Sequence, residues 1–164
     1  MDDAVWLSSA EQRAWRRTAA VMTLLPAALD AQLQRDAGMT QFAYLVLAML
    51  SEAPGRTLTM SELAGRVNSS LSRLSHVVSR LEAQACVRRG PCPGNRRVTI
   101  AELTDTGWDR VVAAAPGHAA EVRRLLFEAL DADDVARLTE ILGTVLGRLD
   151  PEERMGAGAS AAGS

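Results

Sequence analysis

Residues Thr59 to Thr104 read TMSELAGRVNSSLSRLSHVVSRLEAQACVRRGPCPGNRRVTIAELT. A short amphipathic segment, a polar turn, a longer amphipathic segment and an arginine-flanked Pro/Gly stretch follow one another without a spacer. Thr59 or Ser61 opens the first segment over Leu63, Ala64 and Val67, and Asn68-Ser69-Ser70 makes the turn. The longer segment is predicted to be a helix to about Ala85. On a wheel of about 100° per residue, Leu71, Leu74, Val77, Val78 and Leu81 share one side. Ser69, Ser72, Arg73, His76, Ser79 and Arg80 share the other. A solvated helix face ordinarily mixes acids with bases, but this one has no acid. Serine costs helix propensity, so its recurrence asks for a reason. Short hydroxyl side chains let a helix approach a groove closely. Arginine reaches guanine with two donors, and histidine donates to N7 or O6.

Val87-Arg88-Arg89 follows as a short strand candidate. Gly90-Pro91-Cys92-Pro93-Gly94-Asn95 is rich enough in turn residues to predict a loop throughout. Arg97 to Leu103 has strand composition and returns as the second arm of a hairpin. Helix, tight turn, helix and hairpin in that order predict a helix-turn-helix with a wing, and double-stranded DNA as its partner.

The charge distribution agrees. The net charge of −2 and pI near 5.7 would not suggest nucleic acid. Residues 63–101, however, hold seven arginines against the single acid Glu82, while residues 102–164 hold six against twelve acids. Such segregation is what an approaching polyanion feels. All 18 basic residues are arginine, which we read as GC-rich bacterial codon usage.

Outward from this stretch the chain is helical. Ser8 and Glu11 have capping-box spacing with Leu7 at the staple position. Apolar residues recur at helical intervals through Ala14, Trp15, Val21, Met22, Leu25, Leu29 and Leu33, up to Gly38. Pro26 is expected to kink this helix. A stripe so long exceeds what a small lobe can cover, so part of it is expected to face another subunit. Thr40 caps a second helix to Ala53, stopped by Pro54-Gly55. After the hairpin, Thr104 caps a long helix that Pro116-Gly117 is expected to interrupt. The last helix begins at the acids Asp131 to Asp134, carries Val135, Leu138, Ile141, Leu142, Val145 and Leu149, and ends at Pro151. The expected fold class is mainly α with a small β-hairpin wing. Its divisions are an N-terminal arm at 1–39, the DNA-binding lobe at 40–104, C-terminal helices at 105–150 and a disordered tail at 151–164.

The motif ELAGRVNSSLSRLSHVVSRLEAQACVRR…PGNRRVTIAELTDTG, with this helix order, resembles the MarR family of bacterial winged helix-turn-helix repressors. The resemblance covers nearly the whole chain and is strongest from Met60 to Gly107. It implies a homodimer joined through N- and C-terminal dimerisation helices, a recognition helix in each major groove and a wing-tip arginine in the minor groove. It also implies release by a phenolic or anionic effector in many members. Carried over, the recognition-helix contacts fall on Ser70, Ser72, Arg73, Ser75 and His76, and the wing contacts on Arg96 and Arg97; the wheel adds Arg80. Asn95 stands where the family's wing has an acid that braces an arginine, which implies a weaker brace. Asn68 stands where glycine is common, and asparagine tolerates the left-handed backbone that a turn needs.

Other features carry less. Trp15, Met22, Tyr44 and His118 are candidates for an effector pocket, although residues of these types at helical spacing are ordinarily core. Cys92, among arginines, has the setting of a reactive thiol, yet reads more simply as an incidental wing residue. Cys86 reads as core. Two cysteines and two histidines do not make zinc spacing, so no metal or cofactor is expected. No phosphate-cradling glycine loop or catalytic constellation is present, so no catalytic residue is assigned and an enzyme is not expected. No apolar run approaches membrane-spanning length, and the N-terminus lacks a signal pattern. The expected location is cytoplasmic, without membrane contact. The alternative reading is a winged-helix module that binds an acidic protein instead of DNA. The wing-tip arginines argue against it, since a hairpin tip suits a minor groove better than a flat surface.

Overall fold

The computed structural model describes residues 6–155. Ser8 and Glu11 form the capping box that their spacing predicts: Ser8 N donates to the Glu11 carboxylate at 2.7 Å and Glu11 N to Ser8 Oγ at 3.3 Å. From this cap α1 runs Ser9–Ala37, continuous through Pro26, and ends at Gly38 in a left-handed cap. Helix α2 (Gln41–Glu52) is capped by Thr40 and tied to α1 where Gln41 N donates to Asp30 Oδ1 at 2.7 Å. A short strand β1 (Thr57–Thr59) leads into α3 (Met60–Arg66), whose capping box pairs Thr59 with Glu62. Asn68, at φ 45°, makes the turn into α4 (Leu71–Ala83). Strands β2 (Val87–Cys92) and β3 (Asn95–Leu103) follow. Then come α5 (Asp105–Val122), a π-helical segment at Arg123–Phe127, and α6 (Ala132–Leu149). The sheet is antiparallel, in the order β1-β3-β2.

Three expectations change. The stretch from Gly90 to Asn95 is not a loop throughout: β2 reaches Cys92 and β3 starts at Asn95, leaving Pro93-Gly94 as the connection. Gly94, at φ 81°, makes that tight reversal possible. Pro91 is accommodated because β2 is an edge strand, which can forgo a donor on its open side. Second, the wing is part of a three-stranded sheet, since β1 pairs with β3; three residues are too few to show an alternating pattern. Third, α5 runs unbroken through Pro116 and Gly117. Packing of α5 on α1 holds the helix together there, and a Cβ on Gly117 would lie 3.6 Å from Gln32 Nε2.

The core lies in the central lobe. Val46, Leu47, Leu50, Leu63, Leu74, Val78 and Cys86 are fully buried, together with Leu33 from the end of α1. The start of α5 is locked against the root of the wing. Thr104 Oγ1 donates to the Ala85 carbonyl at 2.6 Å and accepts from Gly107 N at 3.1 Å. A Cβ on Gly107 would meet the Cys86 carbonyl oxygen at 2.1 Å, so only glycine fits. Outside the lobe the picture reverses: α6 has no buried residue, and most of the apolar stripe of α1 before Leu29 is exposed. Residues after Leu149 turn back on Asp150, which accepts from Arg154 N and Met155 N. Residues 1–5 of the N-terminal arm and 156–164 of the tail read as disordered lie outside the described residues.

Candidate nucleic-acid interface

Helix α4 is amphipathic, and its buried face is Leu74, Val78 and Leu81. Leu71, on the same side of the wheel, is 51% exposed because it sits at the helix start, beyond the edge of the core. Opposite this face Ser72, Arg73, His76, Ser79 and Arg80 are exposed. Ser75 is half-buried, so it stands at the margin of the reading face. Ser70 is the N-cap: its hydroxyl oxygen accepts from Arg73 N at 3.2 Å, which occupies one side of the oxygen and leaves the hydroxyl proton free to donate. The first turn of α4 contains no acid. Its free N–H groups and positive dipole end therefore stand uncompensated beside Arg73, an arrangement suited to a phosphate.

The arginines of the basic stretch divide into two groups. Arg88 Nη2 donates to Glu102 Oε2 at 2.8 Å. Arg89 Nε donates to Glu82 Oε2 at 2.7 Å, its backbone N to Glu82 Oε1 at 2.9 Å, and its Nη2 to Ser79 Oγ at 3.0 Å. These bonds hold the Glu82 carboxyl below the usual carboxylate range. They also fasten the base of the wing to the end of α4. Arg88 and Arg89 are thus structural. Arg66, Arg73, Arg80, Arg96 and Arg97 have no carboxylate within ion-pair distance among the described residues. Of these, Arg73, Arg80, Arg96 and Arg97 lie on the α4 face or at the wing tip and are exposed. At the tip, Asn95 Oδ1 accepts from the backbone N of Arg97 at 3.1 Å, so the brace it supplies goes to the backbone of the turn. Cys92 is half-buried, with its thiol near the Pro93 carbonyl at 3.6 Å.

Two groups carry no functional signal in the sequence. Phe42 of α2 stacks under the Arg73 guanidinium, whose carbon is 4.4 Å from the ring centroid. In the sequence Phe42 shares the helical spacing of Leu45, Val46, Met49 and Leu50, which marks it only as an apolar residue of α2. Arg110 of α5 donates to Ala37 O at 3.4 Å and also bonds Gln84, joining the lobe to α1. Nothing in its sequence context marks it.

The four effector-pocket candidates separate. Tyr44 and His118 meet, their ring centroids 4.7 Å apart, and His118 Nδ1 lies 3.4 Å from Gln32 Oε1. Burial pushes the His118 imidazolium down and the Tyr44 phenol up. Trp15 and Met22 do not join them. They are 55% and 56% exposed on α1, and Met22 precedes Gln32 by ten residues, about 15 Å of helix. Among the described residues no cluster of three or more potential metal ligands occurs, and no helix is long and apolar enough to cross a membrane.

Comparison with known proteins gives this geometry its context. A sequence model of the MarR family matches residues 37–98. The structure of Sco3205 from Streptomyces coelicolor, a MarR family transcriptional regulator solved in complex with DNA, is 43% identical. The match covers 93% of this chain and 96% of that one, with a TM-score of 0.86. AbsC, a MarR family regulator from the same organism, is 38% identical over 89% of this chain and 98% of its own, with a TM-score of 0.83. Among curated relatives, the HTH-type transcriptional regulator YdcH of Bacillus subtilis (strain 168) is 31% identical over 81 residues. That alignment covers 49% of this chain and 55% of YdcH, so the chain spans about half the length of that relative.

Proposed function

The chain belongs to the MarR family of transcriptional regulators, and from that premise we propose that it binds double-stranded DNA as a homodimer and represses transcription by occupying a pseudo-palindromic operator. The observation that carries this reading is the exposed basic surface formed by α4 and the wing tip. Ser72, Arg73, His76 and Arg80 present donors along a helix with no acid in its first turn. Arg96 and Arg97 stand at the end of a hairpin anchored to that helix through Arg89 and Glu82. Helix in the major groove and hairpin tip in the minor groove is the docking such a unit permits. The uncovered faces of α1 and α6 support a second copy as partner, with residues 9–37 and 105–149 as dimerisation arms. Two copies place two recognition helices about one DNA turn apart.

The seat we assign to a phenolic or anionic effector is the Tyr44–His118–Gln32 group, where α1, α2 and α5 meet between arms and lobe.

The test is a gel shift with duplexes from the regions flanking the chain's own gene, at stepped salt. Binding that weakens steeply as salt rises is expected, because each arginine–phosphate contact releases counterions. Absence of any salt-sensitive binding overturns the reading.

A further inference from the structure

Arg73 stands at the third position of α4, beside the positive end of the helix dipole, where a cation is disfavoured. No carboxylate among the described residues lies within ion-pair reach of it. Its partner is the Phe42 ring, 4.4 Å from the guanidinium carbon to the centroid. Phe42 is itself held, being half-buried against the core. It directly follows Gln41, whose backbone N is bonded to Asp30 of α1 at 2.7 Å. Stacking occupies the flat face of a guanidinium and leaves its in-plane N–H donors free. An arginine held in this way keeps its donors for a guanine edge or a phosphate while its long side chain no longer samples many rotamers. His76 and Arg80, further along the same face, have no aromatic ring stacked against them among the described residues.

We propose that Phe42 is a specificity-determining positioning residue: it aims Arg73 at one base of each half-site without touching DNA itself. This rests on the DNA-binding reading above and deepens it. Preorganisation of one side chain predicts a local signature. Preference at a single base position depends on Phe42, whereas affinity for unspecific DNA, set by phosphate contacts, does not.

The experiment is in vitro selection from a random-sequence duplex pool with the full chain, followed by affinity measurements on the selected duplex and on random duplex. Wild type is compared with Phe42→Leu, Phe42→Met, Phe42→Tyr, Arg73→Ala and Phe42→Leu/Arg73→Ala. Leu and Met remove the π face while keeping apolar bulk, and Tyr keeps the face. Phe42→Leu and Phe42→Met are expected to flatten preference at one position per half-site and to weaken binding to the selected duplex by about 3- to 10-fold, the size of one partly exposed cation–π contact. Random-duplex affinity stays unchanged, Phe42→Tyr behaves as wild type, and the double variant loses no more than Arg73→Ala alone. Unchanged or tighter binding, equal loss on both duplexes, or additive losses in the double variant overturn the proposal. If the wild type enriches no sequence, the DNA-reading function fails and this role with it. If it enriches a sequence that the Leu and Met variants enrich equally, the positioning role alone fails.

Discussion

Helices α4 and α6 are both amphipathic, yet they end in opposite circumstances. In α4 the apolar residues Leu74 and Val78 are fully buried. In α6 their counterparts Ile141 and Leu149 are 61% and 74% exposed. The chain covers the first stripe with α2, α3 and the wing, and leaves most of the second open, with Val135, Leu138 and Leu146 only half-buried. A hydrophobic stripe therefore says only that a face must be covered; whether the same chain or a second copy does so depends on where the remaining helices go. The lobe completes its own core, and the arms leave large apolar side chains exposed. The exposed part of α1, with Trp15, Val21, Met22 and Leu24, belongs with α6 in this respect.

The contrast breaks most visibly at the arms. Ile141→Asp with Val145→Asp places two charges on the open face of α6. The expected result is conversion of dimer to monomer in sedimentation, a loss of about 3–6 kcal/mol of association free energy from two apolar side chains, while the lobe keeps its far-UV signature. A dimer of undiminished strength would put the subunit contact elsewhere.

Gly107→Ala attacks the lobe instead. Its Cβ has no space beside the Cys86 carbonyl, so the wing root and α5 must separate. A destabilisation of about 3 kcal/mol is expected in denaturant unfolding, the upper end for overpacking. A variant as stable as the wild type would show that this junction yields easily.

The smallest effect concerns the joint between wing and α4. Hydrogen bonds from Arg89 lower the Glu82 pKa. The stabilisation from this pair is therefore present at neutral pH and is lost as pH falls through the lowered pKa of the folded state. Glu82→Gln is expected to cost about 1 kcal/mol at neutral pH, since the pair is half-buried but the Gln oxygen still accepts from Arg89 N. The difference from wild type should close on acidification, measured by thermal melts over a pH series. A gap independent of pH would assign the cost to packing.

Much of the lobe was legible because its signals are local. Ser8, Thr40, Thr59 and Thr104 cap the helices that their positions announce. The wheel of α4 separated Leu74, Val78 and Leu81 from Ser72, Arg73, His76 and Arg80, as the structure does. Ser75, which the family resemblance supplies, is half-buried, and so is Ser69, which the wheel places on the reading side although it lies in the turn before α4. Features without a local signal depend on tertiary neighbours. Strand β1 exists only because β3 lies beside it, and α5 survives Pro116 because α1 supports it. The same holds for function. That Arg88 and Arg89 are consumed by Glu102 and Glu82, and that Phe42 lies under Arg73, are facts about pairs in different elements, from seven to 31 residues apart.

The central claim is that two copies, joined through the arms, present two α4 faces to one duplex. Hydroxyl-radical footprinting on a duplex enriched by the wild-type chain tests it most directly. The account predicts two equivalent protected segments related by a dyad, with centres about one helical turn (roughly 10 bp) apart. A single unpaired footprint, or one whose halves are not symmetric about the site, would contradict it.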